Sequence, residues 1–209
     1  GWWEKQVAWA EENEVYLNHV TLWVRFIDDL FLIWKGPCST LEKYISILNA
    51  NPFNLRFTHT ISSSSITFLD LQIKVDNNKL SSVLFRKPTA GNTILYGTSC
   101  HPRSLKWSIP FGELLRAKRN CTETADFAQV AEEMVVRFSE RGYPNKILIQ
   151  SQLKLMDRDR DTLLVNNLKK SDDMNIIRFI TTFSANSNQV KKILQKHWEY
   201  YRLMQSLDL

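Results

Sequence analysis

The sequence predicts an α+β fold in which an antiparallel sheet with flanking helices is followed by an all-helical region. Apolar residues recur at every second position in several short runs, and turn residues separate neighbouring runs. Beyond about residue 100, apolar residues recur instead at helical spacing. Strands joined by short turns pair antiparallel, and a block of strands followed by a block of helices is typical of an α+β fold.

A short helix, a hairpin and a second helix are predicted for the first fifty residues. The range 2–14 carries tryptophan and valine at helical spacing, which favours an amphipathic helix. The range 20–26 alternates as a half-buried strand, and 30–34 is a continuous apolar run typical of a buried strand. An amphipathic helix with a polar cap follows over about 39–51 and ends before Pro52.

Three further strands complete the predicted sheet. The range 55–61 alternates, a run of serines then predicts a loop, and 66–75 has the strongest strand pattern in the chain. The polar turn at 76–79 predicts that 80–86 returns as the hairpin partner of the preceding strand.

A helical module is predicted over about 103–156. A basic helix is expected over 109–120, a longer helix begins at Thr122 or Thr124, and a third covers 145–156. Because the connections are short, we expect the helices to pack together around a small core of their own.

Two further patterns delimit these helices. Gly142 followed by Pro144 predicts the end of the second helix, because glycine adopts the left-handed conformation of a helix cap and proline cannot continue the helix. A final basic amphipathic helix is expected over about 187–207. The predicted core of the module consists of Leu114, Leu115, Phe127, Ala131, Val135, Phe138 and Leu148.

Charge and composition favour an acidic partner. The 209-residue chain has a net charge of +5 and a pI near 9.1, which favours nucleic acid as a partner. No apolar run approaches the length of a membrane span, so no membrane partner is expected. The three cysteines, Cys38, Cys100 and Cys121, lack zinc-site spacing and are typical of thiols in a reducing compartment.

Two adjacent carboxylates, Asp28 and Asp29, stand between the first two predicted strands. A two-residue hairpin turn usually carries Asn-Gly or Gly-Gly, whereas Ile-Asp-Asp is poor turn chemistry and its like charges repel each other. Such departures from good local sequence tend to mark functional sites. Because Mg²⁺ binds one or two carboxylates together with substrate phosphates, the pair is a candidate metal site; a solvated turn is the alternative.

Six short motifs, in a common order and spacing, resemble the reverse transcriptases of Penelope-like retroelements. The resemblance extends over nearly the whole chain. Arg25–Asp29 is similar to the aromatic-x-Asp-Asp motif of the palm, and Ile66–Leu71 to the hairpin called the primer grip. The other motifs, which belong to the end of the palm and to the thumb, are Arg86–Thr89, Ser99–Pro102, Ser108–Pro110 with Leu115–Arg119, and Arg141–Pro144.

The resemblance implies a partial polymerase palm followed by a helical thumb. Residues 1–98 would be the C-terminal part of the palm, 99–160 the thumb, and 161–209 a linker with a C-terminal helix. The fingers, and the palm strand with the other metal-binding aspartate, would lie upstream of Gly1 in the same polyprotein. Such an element implies an intracellular, nuclear location.

The implied activity is RNA-directed DNA polymerisation by two-metal nucleotidyl transfer. The partners would be a template–primer RNA/DNA duplex and a deoxynucleoside triphosphate, and the cofactor Mg²⁺ or Mn²⁺. Asp28 would be the direct metal ligand, and Asp29 would tune the site or assist a ligand. A metal bound by this pair alone would be loosely held, because the partner carboxylate would lie upstream.

The same resemblance implies that Phe68, Leu69, Asp70 and Leu71 set a hairpin against the primer backbone. The apolar members favour core packing over direct contact, because alternate residues of a central strand face the sheet's packing partner. A carboxylate cannot bind a phosphate, so Asp70 is expected to bond backbone amides or a neighbouring Arg or Lys.

A basic region around the start of the predicted thumb is the candidate surface for duplex phosphates. Contacts of this kind depend on salt and do not depend on base sequence. The alternative for any single residue is a solvated helix face. The candidates are Lys87, Arg103, Lys106, Arg116, Lys118 and Arg119.

Three functional hypotheses remain open at this point. The first is the reverse transcriptase fragment, and the second is a catalytically inactive nucleic-acid-binding remnant of such an element. The third is an α+β interaction domain with a basic surface. An interaction domain has no need of Asp-Asp at a hairpin tip, and a degenerate remnant often loses one carboxylate, whereas Asp28 and Asp29 are both present.

Overall fold

A computed structural model of the chain describes residues 2–165, 180–184 and 186–200. It contains helices and small antiparallel sheets, so the α+β prediction is confirmed at that level. The chain divides into two compact units, Gly1–Lys87 and Pro88–Leu209. The sequence placed this division at residue 98, and the names palm and thumb for the two parts remain predictions.

The first unit contains both sheets. Its helical segments are a π-helical turn at Glu4–Ala8, a 3₁₀ turn at Glu11–Asn13, α1 at Glu14–Leu17 and α2 at Cys38–Asn49. Its strands are β1 at Val20–Phe26, β2 at Asp29–Trp34, β3 at Ser65–Phe68, β4 at Leu71–Asp76 and β5 at Lys79–Leu84.

The first hairpin pairs β1 with β2, as the alternating pattern predicted. Trp23 lies opposite Leu32, Arg25 opposite Leu30 and Phe26 opposite Asp29. Asp29 is therefore the first residue of β2 rather than part of the turn. The turn itself contains two residues.

The strand that the sequence predicted over 66–75 is interrupted. Phe68 pairs with Leu71, so a second two-residue turn at Leu69 and Asp70 divides this range into β3 and β4. β4 is the central strand of the second sheet and pairs on its other side with β5. The prediction of one continuous strand is wrong because the alternating pattern does not distinguish a strand from a tight hairpin of two short strands.

The strand predicted over 55–61 is also absent from the described residues. The side chains of two asparagines, and not a neighbouring strand, form hydrogen bonds with backbone groups of this segment. The side-chain oxygen of Asn51 accepts hydrogen bonds from the amides of Phe53 and Leu55. Asn49 accepts one from the amide of Phe57 at 2.7 Å and donates one to the carbonyl of the same residue at 3.1 Å. An alternating sequence pattern carries no information about such side-chain partners.

Aromatic side chains build the core of the first unit. Val7, Ala8, Tyr44 and Leu48 are buried together, and the hydroxyl of Tyr44 donates a hydrogen bond to the carbonyl of Ala8 at 2.8 Å. The rings packed around this centre are those of Trp3, Tyr16, Trp23, Trp34, Phe53 and Phe57.

The second unit begins with a helical bundle. Its helices are α3 at Arg103–Asn120, α4 at Thr124–Glu140, α5 at Asn145–Met156 and the short α6 at Arg160–Leu164. Helix α7 at Ser187–Lys196 falls within the predicted final helix, of which residues 201–207 lie outside the described residues. Within the described residues, no helix is both long and apolar enough to cross a membrane.

The predicted core of the bundle is largely confirmed. Leu115 and Val135 are half-buried, and the other predicted members are buried. Helix α3 begins six residues earlier than predicted, at Arg103, and contains Pro110. Proline removes one backbone hydrogen bond from a helix, which is why the sequence favoured a start beside Pro110. Buried residues that the sequence did not single out are Ala117, Cys121, Met134, Tyr143 and Leu155.

The predicted stop at Gly142 has the hydrogen bonds of a Schellman motif. The amide of Gly142 donates to the carbonyl of Ser139 and that of Tyr143 to the carbonyl of Phe138, while Gly142 has a φ of 75°. Gly97 packs against this turn and donates its amide to the carbonyl of Arg141 at 2.8 Å. A Cβ on Gly97 would lie 2.7 Å from the carbonyl oxygen of Gly142, so only glycine fits there.

We expect the stability of the first unit to fall between pH 10 and pH 12. Burial raises the pKa of Tyr44 to about 12, from 10 in an exposed tyrosine. The folded state therefore holds the phenol proton more tightly than the unfolded state. The contribution is complete below pH 10 and is lost as the pH rises towards 12. Urea midpoints measured across this range should fall less in Tyr44→Phe than in the wild type.

The exposed Tyr96 supplies the control for this experiment. Tyr96→Phe should leave the steepness of the alkaline loss unchanged. An equal loss in Tyr44→Phe and wild type would show that other groups cause it, among them Tyr143, whose pKa burial also raises.

Candidate metal site and nucleic-acid-binding surfaces

The carboxylates of Asp28 and Asp29 lie at the tip of the first hairpin, where both residues are exposed. Asp28 is the second residue of the turn, and Asp29 begins β2 opposite Phe26. The prediction of an accessible hairpin tip is thus confirmed, with Asp28 in the turn and Asp29 next to it at the start of β2. Two apolar side chains share the tip, because Phe26 is 54% exposed and Ile27 is 77% exposed.

Ile27 has an unfavourable backbone conformation, with a φ of 55°. A positive φ at the first residue of a two-residue hairpin turn is characteristic of the type II′ class, in which that residue is usually glycine. Isoleucine is branched at Cβ, and a branched residue at positive φ is a rare outlier. The conformation costs about 1–2 kcal/mol relative to the right-handed region. Strained backbone of this kind clusters at functional sites.

The second hairpin tip repeats the pattern of the first. Leu69 has a φ of 56° and is followed by Asp70, just as Ile27 is followed by Asp28. The third hairpin has a common type of turn. Its two turn residues, Asn77 and Asn78, both have a positive φ, and asparagine is frequent in such turns. Two of the three hairpin tips in this unit therefore place a bulky aliphatic residue where glycine or asparagine is usual.

The predicted primer-grip residues have different environments. Phe68 is half-buried, and its ring lies 5.3 Å from that of Phe31 in the first hairpin. Leu71 and Asp70 are also half-buried, whereas Leu69 is exposed at the tip. This aromatic contact links β2 of the first hairpin to β3 of the second.

An ion pair that the sequence did not predict lies behind the first tip. The Nε atom of Arg25 lies 2.9 Å from a carboxylate oxygen of Glu4, whose side chain is 2% exposed. A buried carboxylate is costly unless it is paired, so the contact fixes this part of β1 against the N-terminal turn. The sequence did contain an indication of this pair, because Arg25 is a charged residue within an otherwise apolar strand pattern.

The residues at the first tip fit part of a magnesium site. The described residues contain no group of three or more His, Cys, Asp and Glu side chains that could hold a metal ion. Asp28 and Asp29 can supply one or two carboxylate ligands, which is what Mg²⁺ takes from a protein when substrate phosphates supply others. Mn²⁺ also prefers oxygen ligands. The protein ligands here are therefore suited to a metal that arrives with a phosphate-bearing substrate.

Three of the predicted basic residues are exposed. They are Lys87 at the end of the first unit, and Arg103 and Arg116 on α3 of the second. Arg116 lies 3.7 Å from Glu113, a pair at exposed helix positions that contributes little to stability. These side chains can reach a phosphate.

The other three basic candidates have roles within the second unit. The ammonium of Lys106 donates to the carbonyl of Ser99 at 2.8 Å, and the Nε atom of Arg119 donates to the carbonyl of Leu163 at 2.8 Å. Lys118 is a correction to the predicted set. It is 8% exposed, and its ammonium lies 4.8 Å from the ring centre of Phe127, so it is removed from the proposed phosphate contacts.

The alternating charges at 157–161 also have structural roles. Asp159 caps α6 by accepting a hydrogen bond from the amide of Thr162 at 3.2 Å. Arg160 donates to the carbonyl of Arg119 at 3.1 Å, and the guanidinium of Arg158 lies 5.9 Å from the ring centre of Phe111. These contacts hold the segment against α3.

Helices α4 and α5 are joined by a four-residue turn, Arg141–Pro144, that contains Gly142. A pair of helices joined by a short glycine-containing turn occurs both in αα-hairpins and in helix-turn-helix units. Helix α3 packs against both members of the pair. The sequence reasoning recognised these helices and missed this arrangement, because it considered only the phosphate-binding charges of the region.

The family comparison matches this part of the second unit. A family model described as an animal helix-turn-helix domain matches residues 93–154, which include α3, α4 and nearly all of α5. No curated protein and no solved structure matches the chain significantly.

The strain at Ile27 can be measured with a pair of substitutions. We expect Ile27→Gly to be more stable than Ile27→Ala by about 1 kcal/mol, because alanine retains the steric conflict at positive φ and glycine does not. The measurement is the free energy of unfolding from urea titrations. At Val24, inside β1, the order should reverse, because glycine weakens an ordinary strand. Equal stabilities of the two Ile27 variants would show that the turn is not strained.

Proposed function

We propose that this chain is the C-terminal part of the palm and the thumb of an RNA-directed DNA polymerase similar to those of Penelope-like retroelements. The observation that carries the proposal is the pair of exposed carboxylates, Asp28 and Asp29, at the tip of a hairpin whose two-residue turn has a φ of 55° at Ile27. Strain persists only where the surrounding structure determines the conformation. The third hairpin of the same unit has the usual asparagines in its turn, and this contrast supports a functional role for the first tip.

The residues of the first tip would hold a divalent cation and the nucleotide attached to it. Asp28 binds the metal, and Asp29 tunes the site or assists a ligand. When bound, Mg²⁺ or Mn²⁺ stabilises the charge on the attacking and leaving oxygens of nucleotide transfer. The pairing of β1 with β2 and the ion pair of Arg25 with Glu4 hold the carboxylates in position. The partner aspartate comes from the upstream palm, which lies with the fingers in the same polyprotein.

The second tip and α3 would bind the nucleic acid. Leu69 positions the primer strand from the exposed tip, while Phe68, Asp70 and Leu71 support the hairpin. Arg103 and Arg116 neutralise phosphates of the RNA/DNA duplex without reading its bases. A deoxynucleoside triphosphate is the second substrate. The exposed thiols of Cys38 and Cys100 suit the intracellular, nuclear location of such an enzyme.

A catalytically inactive nucleic-acid-binding protein is the second candidate. The match of residues 93–154 to a helix-turn-helix family favours it, because such domains commonly bind DNA. This candidate needs the second unit and makes no use of the strained tip of the first. The two candidate functions therefore predict different effects of substitutions at Asp28 on polymerase activity.

The catalytic part of the proposal requires Asp28. In a version of the protein extended upstream to include the fingers and the rest of the palm, Asp28→Asn should abolish primer extension on an RNA template, because the amide loses the charge that binds the metal. Affinity for the template–primer duplex should stay nearly unchanged. Asp76→Asn is the matched control, since Asp76 is exposed beside the ordinary turn of the third hairpin. Primer extension by Asp28→Asn at the wild-type rate would favour the second candidate.

The binding part of the proposal is tested on the chain as it stands. Arg116→Ala should reduce the slope of log affinity against log salt by about one unit, and should weaken binding equally for all duplex sequences. Arg56→Ala removes an exposed arginine from the first unit and should leave the slope unchanged.

Arg116 is a cleaner choice than its neighbour one helical turn away. Arg119→Ala would also remove the hydrogen bond to the carbonyl of Leu163, so a loss of binding could reflect a loss of packing. An unchanged slope in Arg116→Ala would assign this arginine to a solvated face of α3.

A further inference from the structure

Helix α7 carries an apolar stripe that no part of the proposed function uses. Val190, Ile193 and Leu194 follow the i, i+3, i+4 spacing of one helix face, and Trp198 continues the stripe just beyond the end of the helix. Leu194 is half-buried and the other three residues are exposed, with Ile193 at 59%. The stripe is therefore largely uncovered in the single chain.

The rest of the surface of α7 is positively charged. Lys191, Lys192 and Lys196 lie outside the apolar stripe and are exposed, and the helix contains no acidic residue. Cations beside an apolar stripe favour a partner that combines negative charge with an apolar contact. A second α7 helix is excluded as that partner, because its lysines would repel those of the first.

The outer face of α4 has this complementary chemistry. Glu132, Val136 and Glu140 follow one another at intervals of four residues and so form a row along the helix, with Glu133 beside it. Val136 is 59% exposed, and the three glutamates are exposed as well. Arg137, the basic residue of α4, is half-buried. This face therefore offers an apolar side chain between carboxylates.

A second copy of the chain brings the two surfaces together. In the single chain, the stripe of α7 and the outer face of α4 are both exposed, so neither one covers the other. Helix α7 is about 15 Å long and the row from Glu132 to Glu140 about 12 Å, so the two surfaces match in length. When α7 of each copy lies on α4 of the other, the pair has two equivalent contacts and closes on itself, as twofold dimers do.

We propose that the chain forms a dimer in which α7 of each copy packs on the outer face of α4 of the other. The apolar stripe of α7 covers Val136, and the lysines of α7 lie near the carboxylates of α4. Contacts between single helices are small, so the dimer is weak and reversible. Salt weakens it further, because the paired charges are at the surface. This inference goes beyond the proposed function and does not rest on it, since it uses neither the metal site nor the phosphate contacts of α3.

The test is sedimentation equilibrium of the whole chain at low salt over a range of protein concentrations. We expect the wild type to dimerise reversibly. Lys191→Glu combined with Lys192→Glu should weaken the dimer more than about tenfold, because like charges then face each other across both contacts. Glu132→Lys combined with Glu133→Lys should have the same effect for the same reason.

A mixture of the two double variants should dimerise again. The acidic α7 of the first then meets the basic α4 of the second, and the other contact keeps its natural charges. Glu140 is left unchanged in these variants, because it accepts a hydrogen bond from the side chain of Asn92 at 3.0 Å. Lys146→Glu combined with Lys154→Glu is the matched control. It reverses two exposed lysines on α5 and should leave the dimer unchanged. Thermal unfolding of each variant checks that the fold is intact.

Two results would overturn the inference. One is a wild type that stays monomeric at every concentration, and the other is a mixture of the double variants that does not dimerise. Basic amphipathic helices also bind anionic lipid surfaces. A monomeric wild type that sediments with phosphatidylserine vesicles, when the α7 variant does not, would assign this helix to a lipid surface instead. Loss of duplex binding by the α7 variant, again without dimerisation, would assign it to nucleic acid.

Discussion

The pairing of Phe26 with Asp29 is the constraint on which the candidate metal site depends. It leaves only two residues for the turn, so Ile27 takes a left-handed conformation and Asp28 lies at the tip. The same register turns Trp23 towards the aromatic core and Arg25 towards Glu4. A slip of one residue would reverse every side chain of β1, and would therefore remove the support of the tip together with its geometry.

Features that depend on local chemistry could be predicted from the sequence. The first hairpin, the helix stop at Gly142 and most of the bundle core follow from residue spacing and turn residues. Features that depend on distant side chains could not. The irregular path after α2 depends on hydrogen bonds from Asn49 and Asn51, and the burial of Lys118 depends on the ring of Phe127 on the next helix. The candidate carboxylates could be singled out because Ile-Asp-Asp is an unusual sequence for a hairpin tip.

The two units place different kinds of chemistry on different kinds of scaffold. In the first unit, the carboxylates lie at the tip of a hairpin whose turn has only two residues. Such a short turn suits a metal site, because small displacements of the ligands would weaken binding of the metal. In the second, long side chains project from helices that pack around a common core. A phosphate contact tolerates the mobility of an exposed arginine such as Arg116. Leu148 and Leu155 are buried on the inner side of α5 and hold this helix within the bundle.

The close approach of Gly97 to the turn at Gly142 has a consequence for how the second unit opens. The amide of Gly97 is bonded to the carbonyl of Arg141, so the segment that leads into α3 is attached to the junction between α4 and α5. Separating either one from the bundle breaks this hydrogen bond and leaves the amide of Gly97 and the carbonyl of Arg141 without each other. The segment before α3 therefore protects the helix junction, and the junction in turn protects that segment, from local opening.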